Sequence, residues 1–314
     1  MILALVGAAN APAQSETQTR RDGAIVALTS HPALPAYEAL DAFGQRYFQK
    51  GEYEEARTQT DFEVLDLRYS SGGVEVPGIL IRPKQPGDRR WPAIVYNRGG
   101  TGDYGRLDHI AIAGMLVLAK RGFVLIASDY RFHGATARQD QWGGADVDDV
   151  LNVVLAVRTL PYVDPERVFM LGQSRGGTMT YLALKRGAPI RAAAVTSGVS
   201  DLEALGRYRP EFINGDDTYD GWAKVWPDYA ARSKEYYRER SAVNWADKIR
   251  VPVLILASRT DPRVPADQAL RMALALQASG ARYALQIYAD DTHGLTLNRA
   301  DRIRRIVEWF SQAP

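Results

Sequence analysis

The 314-residue sequence contains no cysteine and only four histidines. The lack of cysteine excludes disulfide bonds, thiolate metal ligands and a cysteine nucleophile. The histidines are scattered, and no two of them have the HExxH spacing of a zinc-binding helix. The sequence therefore implies no metal site, and none of the motifs described below implies an organic cofactor.

Long apolar runs and blocks of like charge are also missing. No window of about 18 consecutive apolar residues occurs, so we expect no membrane-spanning helix. The formal net charge is only +2 and the charged residues are spread along the chain, so we expect neither nucleic acid nor an anionic membrane as a partner. Hydrophobic residues make up 46% of the sequence, which is enough for a sizeable globular core.

Residues 1–13 resemble the remnant of a signal peptide. An apolar stretch at residues 1–6 is followed by small residues and by Ala-Pro-Ala at 11–13, which resembles a signal-peptidase site. The apolar stretch is short and no Lys or Arg precedes it, so a disordered or helical start is the alternative. We expect a periplasmic or secreted protein, with a cytoplasmic location as the alternative; the lack of cysteine is compatible with an oxidising compartment.

The periodicity of the apolar residues changes along the chain. Residues 14–60 are predicted to form an N-terminal helical segment, because apolar side chains recur near helical spacing from 34 to 57. Alternation at residues 61–69 and 74–81, around Gly72 and Gly73, predicts a β-hairpin. Residues 61–314 are predicted to form one further domain.

Short apolar runs alternate with helical patterns after the hairpin. The predicted strands are residues 93–96, 124–128, 168–171, 192–196, 251–257 and 283–287. The predicted helices are residues 108–120, 145–159, 177–185, 267–278 and 298–312. This alternation predicts an α/β fold with a mostly parallel, doubly wound sheet and an antiparallel N-terminal hairpin at its edge.

One stretch, at about residues 200–247, breaks the alternation. It has no clear strand and is rich in tyrosine, tryptophan, aspartate and arginine. An insertion of this length in a compact domain is usually a lid or a binding segment, so we expect a helical lid. Trp222 and Trp226 are the candidate substrate-binding side chains, because large aromatic rings are unusual in a solvated loop. Surface helices that only pack on the sheet are the alternative.

The strongest motif is Gly-Gln-Ser-Arg-Gly at residues 172–176, directly after a predicted strand and before a helix. The glycines allow a sharp turn between strand and helix, which lifts the hydroxyl of Ser174 clear of the sheet. This placement is typical of the nucleophile of an α/β-hydrolase. A purely structural turn is the alternative.

A serine hydroxyl needs a base, and that base in turn needs an acid. In this fold the acid and the histidine follow the nucleophile in the chain, and His293 is the only histidine after Ser174. Asp261 follows the predicted strand 251–257, which places it at the same edge of the sheet, and it is our predicted acid. Asp290 and Asp291 are its rivals.

The negatively charged oxygen of the intermediate needs two hydrogen-bond donors. The backbone N–H of Arg175, the residue after the nucleophile, is the first candidate. The second is expected from the loop after strand 93–96, where Arg98, Gly99 and Gly100 lie and where glycine lets backbone approach the substrate. His133 also follows a strand, but it precedes Ser174, so we expect a structural or pocket-rim role for it.

Together these residues resemble the catalytic domain of the prolyl oligopeptidase family of serine hydrolases. The matching motifs are GQSRGG at 172–177, TDPRVP at 260–265 and DTHGL at 291–295, with looser matches at 143–152 and 241–255. The resemblance covers about residues 62–310 and implies an α/β-hydrolase fold and a peptidase activity. Two features depart from the family pattern: these 314 residues leave no room for the usual β-propeller, and Arg98 stands where many members carry Tyr or His.

We therefore predict acyl transfer to water through an acyl-enzyme, with Ser174, His293 and Asp261 as the catalytic triad. The expected substrate is a small molecule or a short peptide. A serine peptidase and a carboxylesterase are both compatible with the residues, because both reactions pass through the same tetrahedral intermediate. The resemblance favours the peptidase. A non-catalytic binding protein on the same fold is the third alternative.

Overall fold

A single mixed sheet organises the computed structural model, which describes residues 20–313. Its nine strands are β1 (Ile25–Ser30), β2 (Phe62–Ser71), β3 (Val74–Pro83), β4 (Trp91–Asn97), β5 (Val124–Ser128), β6 (Val163–Gln173), β7 (Ala192–Thr196), β8 (Val253–Ser258) and β9 (Tyr283–Tyr288). They lie in the order β1-β2-β3-β5-β4-β6-β7-β8-β9. The predicted α/β-hydrolase sheet is thus confirmed.

The sheet changes from antiparallel to parallel along this order. β1, β2 and β3 pair antiparallel, and β3 pairs antiparallel with β5. Strands β4 to β9 are parallel, so their carboxyl ends share one edge of the sheet. The hairpin between β2 and β3 turns at Gly72 and Gly73, whose φ angles of 58° and 81° favour glycine.

Helices cover both faces of the sheet. They are α1 (Ala42–Tyr47), α2 (Lys50–Thr58), α3 (His109–Ala119), α4 (Asp146–Arg158), α5 (Arg175–Lys185), α6 (Leu202–Tyr208), α7 (Glu211–Asn214), α8 (Trp222–Val225), α9 (Tyr229–Arg240), α10 (Asp267–Ser279) and α11 (Arg299–Ser311). Helices α4, α5 and α10 share one hydrophobic core with the sheet, and α2, α3 and α11 share another on the opposite face. None of the described helices is long and apolar enough to cross a bilayer.

The N-terminal segment differs from the predicted helical one. Its described part contains strand β1, which extends the hairpin sheet, and two short helices instead of one long one. Helix α1 ends at Tyr47, because the backbone of the next residue, Phe48, is extended. The rings of Tyr37 and Phe48 lie 6.1 and 5.6 Å from that of Tyr53, so their near-helical spacing reflects a cluster between short segments. The predicted signal peptide at residues 1–13 lies outside the described residues.

The predicted insertion at about residues 200–247 is helical. It contains α6, α7, α8 and α9, and part of it borders the cavity described below. The predicted helical lid is therefore present. Only some of its aromatic side chains line the cavity.

Candidate active site

Ser174 lies on a strained turn between β6 and α5. Its φ and ψ angles are 56° and −124°, a conformation that residues with side chains rarely adopt. The glycines on either side are required by close backbone contacts. A Cβ on Gly172 would lie 2.3 Å from the carbonyl oxygen of Gly176, and a Cβ on Gly176 would lie 1.9 Å from that of Asn97. The sequence thus folds into the sharp turn that the Gly-x-Ser-x-Gly motif predicts.

His293 and Asp261 form a hydrogen-bonded pair. Nδ1 of His293 lies 2.8 Å from Oδ2 of Asp261. The other carboxylate oxygen, Oδ1, accepts hydrogen bonds from the backbone N–H groups of Arg263 and Val264, at 2.8 and 3.0 Å. Burial raises the pKa of Asp261, but the hydrogen bonds and the His293 ring outweigh this effect, so its pKa lies below the usual value. The carboxylate is therefore ionised at neutral pH and holds the ring in place.

The two rival acids have other partners. Asp290 forms an exposed ion pair with Arg259, at 2.8 Å. Asp291 is buried and accepts hydrogen bonds from the backbone N–H groups of Thr292, Leu297 and Asn298, at 2.7–2.9 Å. Asp291 therefore shapes the loop that carries His293. Of the three candidates, Asp261 is the one that the structure places on the histidine.

Ser174 and His293 line one cavity of about 960 Å³. Gly99 and Gly100 line it too, and a Cβ on Gly99 would lie only 3.1 Å from the Cβ of Ser174. Arg175 is the first residue of α5, and the first N–H groups of a helix have no partner within the helix. The loop with Gly99 and Gly100 and the first turn of α5 thus both lie beside Ser174, the predicted nucleophile.

The side chain of Arg98 is directed away from this cavity. It is 1% exposed, and its Nη2 donates to the carbonyl oxygens of Asp129 and Gly102, both at 2.8 Å. Its Nε lies 3.1 Å from a carboxylate oxygen of Asp129. The guanidinium therefore belongs to the protein interior and supplies no donor to the cavity, contrary to a side-chain role in the predicted oxyanion loop. His133, just before a short helical turn at Gly134–Gln139, does not line the cavity either.

The side chain of Arg175 has a role that the sequence did not predict. Its Nη1 and Nη2 lie 2.6 Å from carboxylate oxygens of Asp140 and Asp146, respectively. Nη1 also donates to the carbonyl oxygen of Gly100, at 3.0 Å, and Asp140 accepts from the N–H of Gly102, at 2.9 Å. The network joins the turn at Ser174 to the loop that contains Gly100 and Gly102, the glycine loop. The signal in the sequence was the aspartate-rich stretch at 143–152, which matched the family but suggested no partner.

Trp222 and Trp226 do not contact the cavity, so their predicted role in substrate binding is wrong. Their side chains are 0% and 1% exposed, and their rings stack with centres 5.0 Å apart. They form the core of the lid because such large apolar surfaces are stabilised by full burial. Lid side chains that do line the cavity include Arg209, Phe212 and Tyr219.

The chain is similar in sequence to peptidases of one known family. Residues 109–313 match the prolyl oligopeptidase family. The chain is 27% identical to the uncharacterized peptidase YuxL of Bacillus subtilis, over 79% of this chain and 38% of YuxL. It is 25% identical to the uncharacterized peptidase YtmA of the same organism, over 77% of this chain and 91% of YtmA. For dipeptidyl-peptidase 5 of Porphyromonas gingivalis the identity is 26%, over 72% of this chain and 34% of that protein.

Solved structures agree on the fold. The acylaminoacyl peptidase of Pyrococcus horikoshii superposes with a TM-score of 0.67 at 24% identity, over 81% of this chain and 42% of that one. A puromycin-hydrolyzing peptidase of Mycobacterium tuberculosis gives a TM-score of 0.69 at 24% identity, over 82% and 40%. The present chain thus spans less than half of YuxL and of both these structures. The family match covers most of it, and the chain belongs to the prolyl oligopeptidase family, as its motifs predict.

Proposed function

We propose that this protein is a serine peptidase that cleaves small peptides through an acyl-enzyme. The observation that carries the proposal is the pairing of His293 with Asp261 at one wall of the cavity that also contains Ser174 on its strained turn. A nucleophile, a base and an orienting acid are the three parts that acyl transfer requires.

The roles of the residues follow from their positions. Because Nδ1 of His293 bonds to Asp261, Nε2 is the ring nitrogen available to take the proton from the Ser174 hydroxyl. Oγ of Ser174 then attacks the substrate carbonyl, and the N–H of Arg175 and the Gly99–Gly100 backbone stabilise the oxyanion. His293 next donates its proton to the leaving group, and water releases the acyl group from Ser174 by the reverse sequence.

Family membership and the printed names of the relatives favour peptides over simple esters. YuxL and YtmA are both described as peptidases, and dipeptidyl-peptidase 5 is named for releasing dipeptides. A cavity of about 960 Å³ is at the upper end of the range for small-molecule sites, about 300–1,000 Å³, and suits a short peptide. Carboxylester hydrolysis uses the same tetrahedral intermediate and remains the competing activity in the test.

The test compares dipeptidyl anilides with p-nitrophenyl esters of the same acyl groups. We expect measurable cleavage of the anilides, and Ser174→Ala should lower kcat on both classes by a factor on the order of 10⁶. A fluorophosphonate probe should label the wild type at Ser174 and leave the variant unlabelled. Ester cleavage without any anilide cleavage would assign the protein to the carboxylesterases, and a wild type that neither turns over nor labels would be a non-catalytic binding protein.

Export is a separate proposal, because it rests on residues 1–13. The Ala-Pro-Ala sequence at 11–13 supports cleavage before Gln14. Amino-terminal sequencing of the protein recovered from the periplasm tests it. A chain that keeps Met1 and remains in the cytoplasm would contradict the proposal.

A further inference from the structure

The cavity wall contains a buried arginine, Arg299, whose guanidinium is only partly paired with side chains of the described residues. Arg299, the first residue of α11, is 7% exposed and lines the cavity that contains Ser174. Its Nη1 and Nη2 are both buried and have no hydrogen-bond partner within residues 20–313. Leaving buried donors of a charged group unsatisfied is costly, which indicates that a ligand completes the site.

The rest of the guanidinium is held in place. Its Nε donates to Oε2 of Glu52 at 2.6 Å, and its central carbon lies 4.0 Å from the centre of the Phe48 ring. These contacts fix the plane of the group, while Nη1 and Nη2 have no hydrogen-bond partner among the described residues. Two parallel N–H donors in a fixed plane match the two oxygens of a carboxylate.

The charge at this place is positive. Arg302, one turn along α11, also lines the cavity, and its Nη1 donates to the carbonyl oxygen of Gly294. Burial raises the pKa of the neighbouring Tyr47, but the charges of Arg302 and Arg299 outweigh it, so the pKa of Tyr47 lies below its usual value. Glu52 offsets one of the two arginine charges, so the wall favours an anion.

The acidic side chains that line the same cavity already have partners. Each accepts a hydrogen bond from a backbone N–H group or from a neighbouring arginine or hydroxyl side chain: Asp41, Asp103, Asp108, Glu211 and Asp216. No described acidic group of the cavity wall is bonded to the free edge of Arg299. An external carboxylate is therefore the fitting partner.

Arg302 contacts the loop of His293 directly, and Arg299 reaches it through the ring of Tyr47, whose centre lies 5.4 Å from the central carbon of Arg299. A Cβ on Gly294 would lie 2.7 Å from the ring of Tyr47, and Arg302 bonds to the same glycine. During catalysis the histidine donates its proton to the leaving group, so the leaving group lies beside His293. A carboxylate bound by Arg299 therefore belongs to the leaving group and not to the acyl group.

We propose that Arg299, assisted by Arg302, binds the free C-terminal carboxylate of the leaving part of the substrate. On this basis, which rests on the proposed peptidase function, the enzyme releases a C-terminal amino acid or very short peptide. The adjoining apolar wall, formed in part by Met115, Leu118 and Ile306, favours an apolar side chain on that residue.

The first experiment measures binding without turnover. Calorimetry gives the Kd of N-acetyl-Ala-Phe and of its C-terminal amide for the Ser174→Ala variant, with and without Arg299→Gln. We expect the acid to bind about 10- to 100-fold more tightly than the amide, because the amide lacks the charge-assisted hydrogen bonds. Arg299→Gln should remove the difference. Equal binding of acid and amide, or a preference that survives Arg299→Gln, would overturn the proposal.

The control variant is Arg304→Gln on the same helix. Arg304 is exposed and pairs with Asp301 and Glu308, so its loss should leave the acid-to-amide ratio unchanged. Arg299→Lys keeps the charge and removes the planar fork, and it should retain only part of the preference. Because the acid and the amide are compared on the same variant, a general loss of stability affects both Kd values and does not change their ratio.

The second experiment measures cleavage of the same acid and amide by the wild type and by Arg299→Gln. We expect the acid to have the lower KM in the wild type only. If the acid binds preferentially through Arg299 and neither these peptides nor the dipeptidyl anilides are cleaved, the carboxylate site stands and the peptidase proposal fails. If both peptides are cleaved equally well, the peptidase proposal stands and the carboxylate site is refuted.

Discussion

Nη1 of Arg175 lies 2.6 Å from Oδ2 of Asp140, and neither side chain is exposed to solvent. The arginine follows the nucleophile, whereas the aspartate bonds to the N–H of Gly102 in the glycine loop. The ion pair thus fixes the distance between two backbone segments that the proposed chemistry needs side by side. Burial raises the pKa of Asp140, against the opposing effect of the Arg175 charge, so the acid depends on its partner to stay ionised.

Replacing Arg175 with methionine should therefore damage both stability and rate. The change leaves Asp140 and Asp146 without their buried partner, and breaking such a pair costs about 3–5 kcal/mol. Urea unfolding measures the loss, and kcat well below the melting temperature measures the displacement of the loop. Arg186→Met, which removes an exposed ion pair with Asp148, should cost less than about 1 kcal/mol. Equal stability of the two variants would contradict the proposed role.

Asp261→Asn should cripple turnover while the protein stays folded. The amide cannot stabilise the charged imidazole and favours the wrong tautomer, and the loss of kcat in comparable sites is about 10⁴. Steady-state kinetics on an activated ester measures it. Asp290→Asn is the matched control, because that carboxylate pairs with Arg259 at the surface and should change kcat less than about twofold. If the control variant lost the activity instead, the assignment of the acid would be wrong.

The activity should rise with pH through a single ionisation. The pKa of Asp261 lies below its usual value, so this carboxylate stays charged above about pH 4 and adds no second ionisation to the one that frees the catalytic base. A plot of log kcat/KM against pH should have a slope near +1 on its acid side. The lowered pKa of Asp261 stabilises the folded protein above about pH 3.9. This contribution is lost as the pH falls through the pKa of Asp261 in the folded protein. A slope near +2 while the protein is still folded would show that Asp261 titrates there too.

Trp222 and Phe212 should respond differently to truncation. Trp222→Ala removes a fully buried ring and should cost about 3–5 kcal/mol of stability, with equal losses of rate on acetyl and bulky substrates. Phe212 lines the cavity, so Phe212→Ala should lower kcat/KM for bulky substrates by roughly 10- to 200-fold more than for acetyl esters. Melting temperatures accompany the kinetics. Selectivity that changes with Trp222 and not with Phe212 would reverse these assignments.

The central part of the fold was predictable from the sequence. The strand of residues 124–128 and the strand of residues 192–196 were predicted with their observed ends, because β-branched or small apolar runs between turn residues are typical of buried parallel strands. The sharp turn at Ser174 was equally predictable, since it needs glycine at two fixed positions. Local patterns were sufficient in both cases because the constraint itself is local.

The remaining features depend on contacts between distant parts of the chain. Strand β1 is defined by its pairing with β2, and no local period separates it from the helices that follow. The burial of the lid tryptophans depends on neighbours such as Trp142, whose ring lies 5.6 Å from that of Trp222. The unpaired edge of Arg299 depends on Glu52, which precedes it by 247 residues. Propensity and spacing contain no information about such partners.

The order of the strands has a consequence for folding. Ser174 follows β6 in the middle of the sheet, whereas Asp261 and His293 follow β8 and β9, the last two of the described strands, and β9 forms one edge of the sheet. Pairings between parallel strands form slowly, because their loops close only at an entropic cost. During refolding, reactivity of Ser174 toward a fluorophosphonate should therefore appear after most of the helical signal, when the final edge of the sheet has docked. The same reagent that marks the active site would report the last step of folding.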